Sequence, residues 1–298
     1  MLTRRRFIAI SAALAPAMAV ARTPDLHVET GIALGATVTL RLQHPDAPRI
    51  AALAMAEIRR LEGVFSLFLP DSALARLNRD ARLDAPPFDL LDCLTLAGAV
   101  HRASGGAFDP SVQPLWQAEA AALTRGAPLT PAERAQARAL IGWDSVTLEP
   151  TAITLRPGLA LTLNGIAQGY ITDRVAALLA DHGLTRALVD TGELRALPEG
   201  DWPVTLASGG GITLQDRALA TSAPLGMTFG GDGVSSHILD PRTGAPLRAV
   251  WSSVSVSAPS AALADALSTA ACLMTSEQSV LDFCAAFTGA RIEAVVPV

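Results

Sequence analysis

From Ser145 onward the chain is cut into short strand-forming runs by proline and glycine turns, and helices interrupt those runs at irregular intervals. Ser145–Glu149, Ala152–Arg156 and Leu159–Leu163 read as strands, with others around Arg186–Asp190, Pro203–Ala207, Ile212–Leu214 and Ala218–Thr221. Trp251–Ser257 alternates valine with serine or tryptophan, the mark of a strand with two unlike faces. A doubly wound sheet needs a regular strand–helix–strand repeat, because each parallel pairing consumes a long crossover. That repeat is missing. The pattern predicts an α+β fold, a single mixed α/β domain with short strands and flanking helices.

The first half of the chain is richer in helices. Ala36–Gln43 is a strand candidate, after which Ile50, Leu53, Ala54, Ile58 and Leu61 recur at helical spacing and predict an amphipathic helix over Pro48–Glu62. A second helix covers Phe88–Ala103 and runs out into Ser104-Gly105-Gly106. Thr130-Pro131-Ala132-Glu133 combines an N-cap threonine, proline at the first helical position and glutamate at the capping-box position. Gln168–His182 is a helix stopped by Gly183, and two more, about Ala261–Met274 and Glu277–Thr288, precede a last strand. Half of the 298 residues are apolar, enough for a substantial core.

At the N-terminus Arg4, Arg5 and Arg6 precede an apolar stretch, Phe7–Ala21, that ends in the A-x-A pattern Ala19-Val20-Ala21. The stretch is short for a bilayer span. Thr3-Arg4-Arg5-Arg6-Phe7-Ile8 resembles the twin-arginine export signal, the alternative being a plain secretory signal with a basic start. Either way residues 1–21 are read as a cleavable export signal and residues 22–298 as the mature domain, periplasmic and without a transmembrane segment. No cysteine lies near the cleavage site, so no lipid anchor is expected. Cys93, Cys272 and Cys284 lie in apolar helical stretches without metal-ligand spacing and read as core residues.

Composition removes several functions. All 23 basic residues are arginine, so Schiff-base chemistry, a P-loop lysine and a lysine general base are excluded. A net charge of −5, with 4% aromatics and no basic run beyond the first residues, argues against a nucleic-acid partner.

Four stretches carry chemical potential. Leu163–Tyr170, LNGIAQGY, runs through glycines into a helix, and such a junction presents backbone N–H groups to a phosphate; it also reads as a tight turn in need of two glycines. In Ala261–Thr269, AALADALST, Asp265 and Thr269 are four apart and share a helix face. Both are hard oxygen donors, suited to Mg2+ completed by a backbone carbonyl and substrate phosphates. Because Leu263, Ala264, Ala266 and Leu267 are apolar, Asp265 is expected at a buried edge, where it needs a partner. The third stretch is Ser104–Pro110, SGGAFDP. The fourth is Ser235–Pro246, SSHILDPRTGAP, in which His237 and Asp240 form either a catalytic corner or a structural histidine beside an ordinary turn. No Ser-His-Asp triad or His/Cys zinc site assembles by spacing.

Taken in order, these stretches resemble the FAD:protein FMN transferases, a family once called thiamine-biosynthesis lipoproteins. Leu34-Gly35-Ala36-Thr37 is similar to an early Met-Gly-Thr element, and Phe65–Ser72 with Leu77-Asn78 to an aromatic-Pro-Asp-Ser…Leu-Asn segment. The Gly-Gly-Ala-Phe-Asp-Pro loop, Asn164–Tyr170, Ala220-Thr221-Ser222, Ser236–Gly244 and Ala264-Asp265-Ala266 follow in the family's order.

The resemblance implies a flavin-transferase fold and Mg2+-dependent transfer of FMN from FAD to a serine or threonine of an acceptor protein, with release of AMP. It places the metal on the side chains of Asp265 and Thr269 and the backbone carbonyl of Gly165. Phe68 falls where an aromatic stacks on the flavin, and Leu34, Ala107, Phe108, Asp109, Thr162, Gln168, His237 and Ile238 fall at FAD-binding positions. His237 is the candidate to take the acceptor's proton, and Asp240 or the Thr243 turn to hold that catalytic loop. Several positions depart from the common pattern: Thr162 replaces an aspartate, Gln168 a lysine or glutamate, Ala223 the glycine of Thr-Ser-Gly, and Thr191-Gly192-Glu193 stands for Gly-Gly-Asp. The Asn-Gly-Ile-Ala-Gln-Gly variant resembles a subgroup tied to nitrous-oxide reductase maturation, so the acceptor implied is a flavoprotein of a membrane redox complex. Two alternatives keep the same site: an FAD pyrophosphatase, in which water attacks, and a non-catalytic FAD-binding assembly factor.

Overall fold

The computed structural model describes residues 25–33, 36–229 and 233–298. The export signal and Leu34, with Gly35 beside it, lie outside the described residues. A seven-stranded sheet runs in the order His27–Ala33, Ala36–Leu42, Ala187–Asp190, Leu194–Ala196, Ala218–Ser222, Trp251–Ala258, Arg291–Pro297. Every neighbouring pair is antiparallel. With helices laid on it, this is the α+β architecture expected from the irregular strand–helix order.

Helices Ala47–Phe65, Ala167–Asp181 and Ala261–Ala271 pack on one face of the sheet. The first turns Ile50, Ala54, Ile58 and Leu61 inward, all fully or almost fully buried, whereas Leu53, expected on the same face, falls at its edge and is exposed. On the strands the alternation separates two cores. Ala187 and Val189 join the helix side, while Leu188 and Leu219 join Trp202, Leu206 and Leu214 under the hairpin formed by Trp202–Thr205 and Gly211–Leu214. A three-stranded sheet, Arg82–Asp84, Ala152–Leu155 and Val146–Leu148, adds Leu83, Ile153 and Leu155 to the main core.

Trp251–Ala258 has two unlike faces, and both are covered. Val254 and Val256 enter the main core, whereas Ser255 bonds the Thr221 hydroxyl at 2.8 Å and Ser257 accepts from Arg217. A bulge between Trp251 and Ser253 lets Trp251 share the core side with Val254, three residues on.

Other predicted elements fall close to their expected ranges. Phe88–Ala103 is helical, Thr130 and Glu133 close a reciprocal capping box over Pro131–Ala139, and Glu277–Ala285 is the last helix. All three cysteines are free and buried. The strand expected over Leu159–Leu163 does not form. Residues 159–163 join no ladder, and the partner of Leu161 is a side chain: Asn78 Nδ2 donates to the Leu161 carbonyl at 2.8 Å and its Oδ1 accepts from the Leu161 N–H at 2.7 Å. Helices Ala73–Asp80 and Gln113–Arg125 were not foreseen. Among the described residues no helix is long and apolar enough to cross a membrane.

Candidate active site

Two helix N-termini meet at one end of the sheet. Helix Ala167–Asp181 begins just past Gly165, and helix Ala261–Ala271 carries Asp265 and Thr269. They touch backbone to backbone: a methyl group on Gly169 would fall inside van der Waals contact of the Ala261 carbonyl, so glycine is required there. Asp173 fastens the pair, its two carboxylate oxygens accepting from the N–H groups of Ala261 and Ala262 at 2.7 and 2.9 Å. These bonds favour its charge, yet burial outweighs them and pushes the carboxyl up to about 6.

A cleft of about 270 Å3 opens at this junction. Asp265 stands on its floor, 4% exposed, accepting from the Gly169 N–H at 3.3 Å. Burial pushes its carboxyl up to about 7; the Gly169 bond opposes the shift and the charge of Asp173 adds to it. Thr269 lies one helical turn on. Its hydroxyl pairs with Ser222 Oγ at 3.2 Å, and Ser222 is bonded in turn to Ser268 at 2.7 Å. Gly165 faces them so closely that a Cβ would stand 3.1 Å from the Thr269 hydroxyl and 3.3 Å from the Phe108 ring. Asp265, Thr269 and Gly165, separated by about a hundred residues in the chain, therefore share one site.

The other wall comes from two loops and the Ser236–Gly244 stretch. Thr162 N–H donates to the Pro110 carbonyl at 2.7 Å, tying the 162–165 loop to the 107–110 loop. Asp109 holds that second loop by accepting from the Ser111 N–H at 2.8 Å and hydroxyl at 2.6 Å. Burial pushes the Asp109 carboxyl up, and the two Ser111 bonds act against it. Gln168 lines the cleft and donates to the Thr191 carbonyl at 3.2 Å. His237 also lines it. Its Nδ1 lies 2.9 Å from the Met227 carbonyl, which can only accept, so Nδ1 carries the proton and Nε2 keeps the lone pair.

Ala107, Phe108, Asp109, Thr162, Gln168, His237 and Ile238 all border this cleft with the three metal candidates. Two candidates do not. Phe68 is 83% exposed and is not among the cleft residues. Asp240 turns away from the cleft and accepts from the Arg242 N–H and guanidinium at 2.9 to 3.0 Å, closing the Pro-Arg-Thr-Gly turn. Burial works against the Asp240 charge, but the Arg242 bonds prevail and hold the carboxyl below its usual range.

The cleft also has residues that were not among the site candidates. Trp116, against Phe229 at 5.7 Å, gives it an aromatic wall from the unforeseen helix Gln113–Arg125. Glu193 reaches it from the turn before Leu194–Ala196. Burial, with the charges of Asp265 and Asp190, holds its carboxyl well above the usual range. The sequence signal for Glu193 was its place in Thr191-Gly192-Glu193, which stands for the family's Gly-Gly-Asp.

Comparison with known proteins fits this geometry. A family model described as the ApbE family matches residues 34–295. The chain belongs to the ApbE family. Among ApbE relatives, the "FAD:protein FMN transferase" of Vibrio cholerae is 30% identical over 277 residues, 84% of this chain and 82% of that protein. The protein of the same name from Treponema pallidum is 31% identical over 254 residues, covering 74% of this chain and 70% of its own. The crystal structure of the ApbE protein of Thermotoga maritima superposes with a TM-score of 0.79 at 26% identity, covering 92% of this chain and 97% of the other. The family that the seven stretches resemble is thus the family that matches.

Proposed function

We propose that this ApbE-family chain is an FAD:protein FMN transferase, moving FMN from FAD onto a serine or threonine of an acceptor protein and releasing AMP. One observation carries the reading: Asp265, Thr269, the Gly165 backbone and His237 converge on a single cleft at a helix N-terminus. That is where a pyrophosphate is best received.

The donor set fits a divalent cation. Glu193 Oε2 is buried without a hydrogen-bond partner, and Asp265 is desolvated beside it. Among the described residues no three His, Cys, Asp or Glu side chains form a metal cluster. The sparse set Asp265, Thr269 and the Gly165 carbonyl suits Mg2+, which leaves positions for water and substrate phosphates. Bound there, Mg2+ supplies charge neutralisation for the pyrophosphate and for the departing AMP.

The chain's own groups do the rest. Residues 162–165 and 107–110, tied together through Thr162 and Pro110, bracket the dinucleotide. Trp116 offers a flat apolar surface to one of its rings. The acceptor hydroxyl attacks the FMN phosphorus, a new P–O bond forms, and the bond to the AMP oxygen breaks. His237 Nε2, the ring nitrogen with the free lone pair, takes the hydroxyl proton. Asp240 maintains the turn that follows His237.

Residues 1–21 are proposed to export the protein to the periplasm, with residues 22–298 as the transferase domain; the arginine-led apolar stretch and Ala19-Val20-Ala21 support this. The proposed acceptor is a flavoprotein of a membrane redox complex, supported by the Asn164–Gly169 variant.

The test incubates the mature protein with FAD, Mg2+ and an acceptor flavoprotein domain, then looks for flavin fluorescence on the denatured acceptor and AMP in solution. Both products, lost with EDTA, are expected. AMP with free FMN and no labelled acceptor marks a pyrophosphatase, and FAD retained without either product marks an assembly factor.

A further inference from the structure

The strand Leu194–Ala196 pairs with Ala218–Ser222 only at Ala218 and Leu219. Just beyond that short ladder, the Glu193 side chain accepts from the backbone N–H of Thr221. One carboxylate oxygen is used in this way. The other, Oε2, has no hydrogen-bond partner, although the residue is 8% exposed and lines the cleft with Asp265.

No basic side chain forms an ion pair with either acid among the described residues. Arg195, two residues beyond Glu193, is directed to Asp173 and Asp216. Two buried carboxylates without a cationic partner are unstable as a charged pair in a low-dielectric site. A bound cation reverses that balance, because its charge is the largest in the site.

We infer that Glu193 is a second carboxylate facing the cation held by Asp265, Thr269 and the Gly165 carbonyl. The identity of the cation as Mg2+ rests on the proposed function; the pairing of the two acids rests on the geometry. A site with one carboxylate depends on substrate phosphates to retain Mg2+. A site with two takes up the cation before the dinucleotide arrives.

The experiment is a Mn2+ titration of the nucleotide-free mature protein, followed by the EPR signal of the free ion, for wild type, Glu193→Gln and Asp265→Ala. Wild type is expected to bind Mn2+ without FAD, and Glu193→Gln to bind it at least tenfold more weakly. Melting in EDTA gives an independent readout: Glu193→Gln is expected to melt at or above wild type and to gain less from added Mg2+. If Glu193→Gln does not fold, Glu193→Asp carries the comparison, because its shorter arm draws the charge back; at least threefold weaker binding is expected. Wild-type Mn2+ affinity in the Glu193 variant, alongside its loss in Asp265→Ala, overturns this inference and leaves the transferase reading standing. A wild-type protein that takes up no Mn2+ either with or without FAD overturns both.

Discussion

The Asp265 carboxylate accepts a hydrogen bond from the backbone N–H of Gly169 at 3.3 Å, so the acid on one helix is aimed by the first turn of another. Losing the carboxylate removes a charge that the fold holds out of water. For Asp265→Ala we expect flavin transfer to fall by at least about 100-fold, in the range seen for groups that stabilise transferring charge. The folded protein should persist, since the substitution also relieves a desolvated acid. Acceptor labelling and a melting curve on the same preparation check both halves; a labelling rate near wild type would remove Asp265 from the mechanism.

His237 makes a separable contribution. His237→Ala is expected to lower transfer by about 100- to 10,000-fold, the usual range for a lost general base, while Mn2+ affinity stays at the wild-type value. A parallel loss of Mn2+ binding would mean that the loop, and not the imidazole, was what mattered.

Gly169 tests the helix contact itself. Gly169→Ala drives a methyl into the Ala261 backbone, which cannot move as a flexible side chain can. Overpacking of this kind costs about 1–3 kcal/mol, read as a lower urea midpoint. Gly165→Ala meets the Thr269 side chain and the Phe108 ring at 3.0 to 3.3 Å, and should weaken Mn2+ binding more than it lowers stability.

Asp173 predicts a pH dependence. Its carboxyl rises from an ordinary 3.8 to about 6 on folding, so between those values the folded chain holds a proton that the unfolded chain has released. Its contribution therefore makes stability fall as pH rises from about 4 to about 6, then level off. Urea midpoints of wild type and Asp173→Asn across pH 4 to 8 isolate the term. The difference should move in favour of the variant as pH rises through that window, and a difference independent of pH contradicts the assignment.

Asn78 checks an interaction that stands in for a strand. Asn78→Ala leaves the N–H and C=O of Leu161 unpaired next to the cleft loop. Two lost bonds to a partly buried backbone cost about 2 kcal/mol, measurable in the same denaturation.

The sequence carried most of the helices, though not Ala73–Asp80 or Gln113–Arg125, and most of the sheet strands, though not Leu194–Ala196, because period and capping are local properties. Ile50 to Leu61 and the Thr130–Glu133 box needed no tertiary information. Leu159–Leu163 misled for the opposite reason: its apolar run is buried, but the pairing group is the Asn78 amide, 83 residues away. Asp265 and Thr269 were legible as a pair by their spacing on one helix. That Gly165 joins them depends on a crossing permitted by Gly169, which spacing does not reveal. Trp116 was invisible because nothing in its local sequence separates a cleft residue from a helix face, and Glu193 entered only as the acidic end of Thr191-Gly192-Glu193, with nothing to place it in the cleft. Phe68, brought by resemblance, is exposed and outside the cleft, whereas Asp240 holds the turn after His237, the loop-holding place the resemblance gave it.

The Gly169 contact and the Asp173 bonds make the two helices behave as one rigid block, so the loop at Gly165 and the acid at Asp265 cannot drift apart. The facing ribbon of Leu239–Asp240 and Ala245–Pro246 lies outside the seven-stranded sheet and is tied down by side chains instead: Arg134 donates to the Gly244 carbonyl at 2.7 Å, Arg242 to the Leu273 carbonyl at 3.2 Å, and Leu239 packs with Leu115 and Ala137. Under the proposed function, the two sides of the cleft therefore differ in how they are built: backbone contact fixes the phosphate end, and side chains that substitution can change hold the end that would meet an acceptor.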